Sequence, residues 1–282
     1  MKTLDYITNW FLMVRIRILI FVGYKFNKSP KNLNKTSELS FLDDFNKKEL
    51  NRDHWRTDNY FGFPIHPSNI VEHNKAPDVI YTDTNHIMSD GKIYMYTKKE
   101  KINYHYVDWD GKDWGSWEIP YTSGQIHHKK FEQLYGYFES SIAIANTPGT
   151  WPAFWLCSKH SWPPEIDIFE FYTGKKANYF ESNVHFNFQP NKKMRVSPGY
   201  IFKGSDSLNV WAVDWQKDYM KFYWNNILIR VVKDKEVLKW FNVPMFIIIN
   251  NGIDTGAGRR LDEMESPNFM HVDWVRVWKK KD

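Results

Sequence analysis

Glu165-Ile166-Asp167-Ile168-Phe169-Glu170 opens with acidic and apolar side chains in strict alternation, the two-residue period of a β-strand. In a regular strand, Glu165 and Asp167 share one face while Ile166 and Ile168 turn to the core. Glu170 lies five positions after Glu165, so unbroken alternation sends it to the buried face. A single-residue bulge near Ile168–Phe169 returns it to the face of the other two acids. The stretch therefore predicts a bulged strand with three carboxylates in one row.

Short runs of the same kind lie on both sides. Lys92–Thr97, Tyr135–Ala145, Asn183–Phe188, Leu208–Trp215, Met220–Val232, Met245–Asn250 and His271–Lys279 are rich in β-branched and aromatic residues. Gly, Pro, Asn and Asp separate them, which reads as strands and turns. Long helical periodicity is absent, and Asp234–Phe241 is at best one short helix. With strands and almost no helices, the stable solution is all-β: two antiparallel sheets packed face to face, a sandwich or jelly roll. No repeat and no internal change of composition divides the chain after residue 40.

The net charge of +5 invites a nucleic-acid reading, but its distribution removes it. Residues 1–40 hold Lys2, Arg15, Arg17, Lys25, Lys28, Lys31 and Lys35 against Asp5 and Glu38, and so carry the whole excess. The remainder is balanced, so no basic domain surface for nucleic acid is expected. Aromatics make up 18% of the chain, including 14 Trp, more than a core alone needs. Wide flat rings stack on sugar faces and on nucleobases. Cys157 is the single cysteine, which excludes an intrachain disulfide and a cysteine-rich zinc site; it reads as a buried thiol.

Residues 10–22 are apolar except for Arg15 and Arg17, too short and too charged for a membrane span. As an export signal the segment lacks an A-x-A-like cleavage site. A degenerate signal, a surface anchor and a plain amphipathic extension all remain open. Residues 27–40 are polar and lysine-rich, as in a linker. Residues 1–39 are thus read as a leading segment and 40–282 as the folded domain. Any membrane contact is expected through the leading segment alone.

Three like charges on one strand face raise at least one pKa, so one carboxyl tends to keep its proton near neutrality. A protonated acid beside an ionised one is the pair that glycoside cleavage requires. Across one strand the outer carboxyls approach the spacing of about 5–5.5 Å used by retaining enzymes. A solvated acidic strand or a calcium cluster is the alternative. Upstream, Trp151, Ala153 and Trp155 of Thr150–Leu156 share a strand face, and Trp162 just precedes the acids. Indoles crowded beside a carboxylate row make a platform for pyranose rings.

These residues resemble glycoside hydrolase family 16, the group of laminarinases, lichenases, agarases and carrageenases. Glu165–Glu170 is similar to the family's bulged E-x-D-x-x-E signature, with Trp151–Leu156 before it. Phe41–Phe45, Ser89–Lys92, Ser123–Gln125, Tyr135–Glu139, Val210–Trp215, Phe222–Trp224 and Val272–Val277 match in order. The resemblance implies a concanavalin A-like jelly roll with a concave substrate cleft. It implies Glu165 as nucleophile, Glu170 as general acid/base, and Asp167 as the group that hydrogen-bonds the nucleophile. It places Trp151, Trp155 and Trp162 in sugar subsites, His185 along the cleft and Asn250 at its rim. The plain alternatives are a hydrogen-bonded sheet histidine and a turn asparagine. It also implies a structural calcium away from the cleft, with Asp44, Gly91 and Asp273 as oxygen ligands. No cofactor is expected for catalysis.

The activity so implied is retaining endo-hydrolysis of a β-linked polysaccharide by a monomer, outside the cell or at its surface. The Trp151–Trp155 stretch favours a β-1,3-glucan. Pro163-Pro164 stand where family β-glucanases often carry glycine, and the loop from Trp155 to Glu165 is short. These departures leave agarose, porphyran and carrageenan as alternative substrates, and a transglycosylase shares the chemistry. From another class, a carbohydrate-binding sandwich without catalysis is the competing reading; retention of all three acids argues against it.

Other signals carry less. Gly252, Gly256 and Gly258 do not have the spacing of a dinucleotide loop. His127-His128 are adjacent and lack metal-ligand spacing. Lys279–Lys281 reads as a solubilising end.

Overall fold

The computed structural model describes residues 33–58, 78–107, 113–128, 130–144, 147–172, 179–186, 199–201, 207–253 and 261–281, with positions 7, 10, 11, 14 and 18. Most of the expected leading segment lies outside the described residues. No helix among those described is long and apolar enough to cross a membrane.

Two sheets face each other. The smaller has seven strands in the order β12 (Gly199–Ile201), β11 (Tyr179–His185), β10 (Glu165–Phe171), β9 (Thr150–Cys157), β16 (Phe246–Ile253), β7 (Gln125–His128) and β2 (Trp55–Arg56). The larger has ten. Its path runs β15 (Ile227–Val232), β14 (Tyr219–Trp224), β13 (Asn209–Gln216), β8 (Gly136–Ala143), β17 (Asn268–Lys280), β5 (Lys92–Val107), β6 (Asp113–Ser123) and β3 (Val79–Tyr81). Off this path, β1 (Ser37–Asp43) pairs with β17, and β4 (His86–Ser89) with β5. All these pairings are antiparallel except β3 with β6.

The core fills the space between the sheets. Ile166, Ile168, Phe169 and Phe171 of β10 join Phe154 and Leu156 of β9, Ile247 and Ile249 of β16, and Trp211, Val213 and Trp215 of β13. Burying each such side chain contributes about 1.5–3 kcal/mol, so alternation on the strands is enforced by the core. Cys157 is buried, as its neighbours imply, and its thiol donates to the Ser158 carbonyl at 3.5 Å.

Several strand boundaries differ from the sequence reading: Asn183–Phe188 belongs to a strand that starts at Tyr179, Met245–Asn250 to one that runs on to Ile253, and His271–Lys279 to one that starts at Asn268. Met220–Val232 is two strands, split at Asn225 and Asn226 with φ of 47° and 64°. Asn tolerates this left-handed backbone, and two such residues in succession are the signature of a tight hairpin. Lys92–Thr97 is only the start of a strand that runs on to Val107. Pairing begins at Ser37, opposite Lys280, three residues ahead of the expected start near Ser40. A short helix α1 (Leu33–Thr36) precedes it, and Leu33 packs near Tyr137, Ala212 and Tyr223. The expected short helix is α2 (Lys235–Leu238), where the Asp234 side chain accepts from the Glu236 N–H as N-cap.

Candidate active site

The bulge in β10 sets the site. Asp167 lies opposite Asn183 of β11 while Glu170 lies opposite Glu181, so three steps on β10 match two on its partner. Against β9 the shift falls between Asp167 and Phe169. Ile168 and Phe169 are both almost fully buried, and the apolar pull on these two neighbours favours the extra residue. Glu170 then returns to the outer face of the seven-stranded sheet, in line with Glu165 and Asp167. Directly opposed residues of antiparallel strands share a face. Glu165, Asp167 and Glu170 therefore stand beside Trp155 and Ala153 on one flank, and beside His185, Asn183 and Glu181 on the other.

The two outer acids have different surroundings. Glu165 accepts a hydrogen bond from Trp162 Nε1 at 2.9 Å. His185 Nε2 lies 3.4 Å from Glu165 Oε1 and 3.1 Å from Asp167 Oδ2. Burial and the adjacent Asp167 push the Glu165 carboxyl up to about 8, while His185 and the Trp162 N–H pull the other way. Glu170 is held by donors. Trp151 Nε1 reaches Oε1 at 3.2 Å, the Tyr172 hydroxyl reaches it at 2.9 Å, and Asn183 Nδ2 donates to Oε2.

The tryptophans frame these carboxyls. Trp162 is 42% exposed, with its ring 6.2 Å from that of His185. The Trp151 and Tyr172 rings lie 5.1 Å apart at 32°. Trp155 donates through Nε1 to Asn250 Oδ1 at 2.8 Å, and Asn250 Nδ2 donates to the Tyr81 hydroxyl at 3.1 Å. Asn250 thus faces the cleft side of the sheet, opposite Ala153, but its amide serves to fix the Trp155 ring.

Sequence reasoning placed the three acids, the three indoles, His185 and Asn250 together, and they do meet. It missed Asn183, Tyr172, Glu181 and Tyr81. Asn183 was within reach of sequence, because it lies two residues before His185 and shares its face. Tyr81 comes from a strand of the other sheet and carries no local signal.

The expected metal ligands lie elsewhere. The last β1–β17 pair is Asp43 with Val275, which leaves Asp44 and Asp273 just beyond it. Gly91 turns at φ 66°, and a Cβ there would stand 2.6 Å from Asn46 Oδ1. The Asn46 side chain and N–H, followed by Arg276, hold the Asp44 carboxyl below its ordinary value. These oxygens suit a hard cation. Among the described residues, the group of three His, Cys, Asp or Glu side chains with ligand atoms in mutual reach is Glu165, Asp167 and His185, the acid row itself.

The profile of glycosyl hydrolases family 16 matches residues 73–276. The chain belongs to this family. Among the family's members, the endo-1,3-1,4-β-glycanase EglC of Rhizobium meliloti is 28% identical over 160 residues, 56% of this chain and 33% of that protein. The κ-carrageenase of Pseudoalteromonas carrageenovora is 23% identical over 278 residues, covering 84% of this chain and 63% of that one. The laminarinase of Flavobacterium sp. UMI-01 superposes with a TM-score of 0.67 at 26% identity, covering 86% of this chain and 100% of that structure. Matched segments span about a third of the first curated relatives, 33%, 41% and 27% of their lengths. The jelly-roll architecture is that of the family 16 laminarinases.

Proposed function

We propose that the chain is a retaining endo-glycoside hydrolase acting on a β-linked polysaccharide, most simply a β-1,3-glucan. The observation that carries this reading is the bulged row of Glu165, Asp167 and Glu170 on the open face of the sheet. Glu165 attacks the anomeric carbon while Glu170 gives its proton to the departing glycosidic oxygen. A covalent glycosyl–Glu165 ester results. Glu170, now ionised, takes a proton from water, and the hydroxide oxygen displaces Glu165 from the sugar. Asp167 and the Trp162 N–H orient Glu165 and set its ionisation. Trp151, Trp155 and Trp162 present ring faces or edges to successive sugars.

The relatives support the glucan reading by name: two of the three quoted are a β-glycanase with 1,3-1,4 specificity and a laminarinase. The carrageenase likeness keeps a galactan as the second reading. A sugar acceptor in place of water would make the same site a transglycosylase. A polymer of this kind is met outside the cell, so the protein is placed there or at the cell surface. Asp44, the Gly91 carbonyl and Asp273 are assigned to a calcium that ties the β4–β5 turn to the end of β1 and has no part in the bond cleavage.

Sugar release from laminarin, mixed-linkage glucan, agarose, porphyran and carrageenans tests the reading, with Glu165→Gln alongside. Release from one polymer, lost by at least three orders of magnitude in a folded variant, is expected. A folded Glu165→Gln protein with wild-type release would overturn it.

A further inference from the structure

We infer that the β2 end of the concave sheet forms a distal subsite in which paired arginine and aspartate side chains hold a neutral sugar of the polymer. This deepens the glycanase reading and rests on it. Directly opposed residues trace a line across five strands: Asp167, Trp155, Ile248, His127 and Arg56. Four interstrand spacings separate the ends of the line, roughly 19 Å at about 4.8 Å each. A pyranose repeat in an extended glycan advances about one such spacing. A chain lying across the strands with its scissile bond at the acids therefore brings its third or fourth repeat to Arg56.

A cavity of about 280 Å³ opens there, lined by Arg52, Trp55, Arg56, Thr57, Asp58 and Asp83. That is at the small end of ligand pockets, which run from about 300 to 1,000 Å³, and suits one ring. Arg56 Nε donates to Asp58 Oδ1 at 2.9 Å and Nη2 donates to Oδ2. His127 Nε2 lies 3.2 Å from Asp58 Oδ1. Arg52 Nη1 reaches Asp83 Oδ1 at 2.5 Å and Thr57 Oγ1 at 3.0 Å. Burial lowers the His127 pKa, which leaves its ring uncharged at neutral pH.

The charges of the two pairs cancel, and this decides the ligand class. A sulfate or carboxylate would find each guanidinium already matched by a carboxylate and would be repelled by that carboxylate. A sugar hydroxyl both donates and accepts, so an arginine–aspartate edge offers adjacent hydroxyls a donor and an acceptor side by side. Side chains with this pairing are about half exposed, Arg56 at 50% and Asp58 at 47%, and so stand open to a polymer.

The test is kcat/KM of the full chain on β-1,3-gluco-oligosaccharides from trimer to octamer. For wild type the value rises with length until the chain reaches β2. In Arg56→Ala the octamer-to-trimer ratio falls about tenfold, as expected for a lost charge-assisted hydrogen bond. Asp58→Asn, which leaves Arg56 uncompensated, loses part of the same ratio and gains affinity for κ-carrageenan oligomers. An unchanged ratio in both variants, or an equal loss at every length, overturns the subsite. If wild type cleaves none of these oligomers, the glucan reading falls separately, and oligomers of the polymer that is cleaved replace them. A length dependence through Arg56 on a neutral series then supports the subsite, and its absence, or its appearance on a sulfated series, overturns it.

Discussion

The Trp162 indole donates to Glu165 Oε2 at 2.9 Å across the two prolines that separate them. The pair Pro163-Pro164 thus coincides with a contact that reaches the proposed nucleophile directly. The same ring lies beside His185, so one side chain both flanks the proposed sugar path and tunes the carboxylate.

Trp162→Phe keeps a flat ring and removes this donor. Burial and Asp167 hold the Glu165 carboxyl up at about 8 against the downward pull of His185 and the Trp162 N–H. Without it the pKa rises further. Since the nucleophile must be ionised, the acidic limb of the kcat/KM profile moves to higher pH. A pH–rate profile checks this, and a limb that stays put or moves to lower pH contradicts it.

Stability carries the same signature with a definite sign. The Glu165 carboxyl titrates near 8 in the folded chain against an ordinary 4.5, so the folded state binds this proton more tightly than the unfolded one. Glu165 therefore makes the fold less stable as pH rises from about 4.5 to about 8, with the full deficit above that window and none below it. Glu165→Gln removes the charge. Its melting temperature should exceed that of wild type by on the order of 5 °C at alkaline pH, with the gap closing toward pH 4.5. Thermal melts across the range decide it; a constant gap would assign the gain to packing instead.

How much of this was legible in the chain depends on where each signal lies. The bulge could be read because Glu170 falls at an odd spacing from Glu165, and only an extra residue keeps three acids on one face. The hairpin at Asn225-Asn226 was hidden inside an apolar run, although two successive asparagines are a turn signal. Tyr81 and the Arg56–Asp58 pair had no local pattern to announce them. Their places follow from strand order: β2 joins the acid-bearing sheet, and β3 edges the other sheet beside β16. A single sequence gives periodicity within a strand and leaves the pairing of distant strands open.

Glu170 is held by Trp151, Tyr172 and Asn183, and the proposed proton donation predicts a leaving-group dependence. Glu170→Gln should lose at least two to three orders of magnitude in kcat on the polymer, in the range of general acid catalysis. On an aryl glycoside whose phenol needs no protonation, formation of the glycosyl–enzyme should be nearly preserved, and a burst of phenol should appear. Equal loss on both substrates would remove Glu170 from the acid role.

Tyr81 tests whether a ring can be set from the opposite sheet. Its hydroxyl accepts from Asn250 Nδ2 at 3.1 Å, and Asn250 accepts from Trp155 Nε1 at 2.8 Å. Tyr81→Phe removes the acceptor and leaves the asparagine amide free to rotate, at a cost of about 1 kcal/mol. Because Trp155 stands opposite Asp167 and its proposed role is to bind a sugar rather than to act at the reacting carbon, the variant should raise KM about fivefold with kcat nearly constant. Asn250→Ala should do the same more strongly, while the pair together should cost less than the sum, since both act through one indole. A fall in kcat at unchanged KM would mean that the relay serves the carboxyl row, and additive losses would mean that Tyr81 and Asn250 act apart.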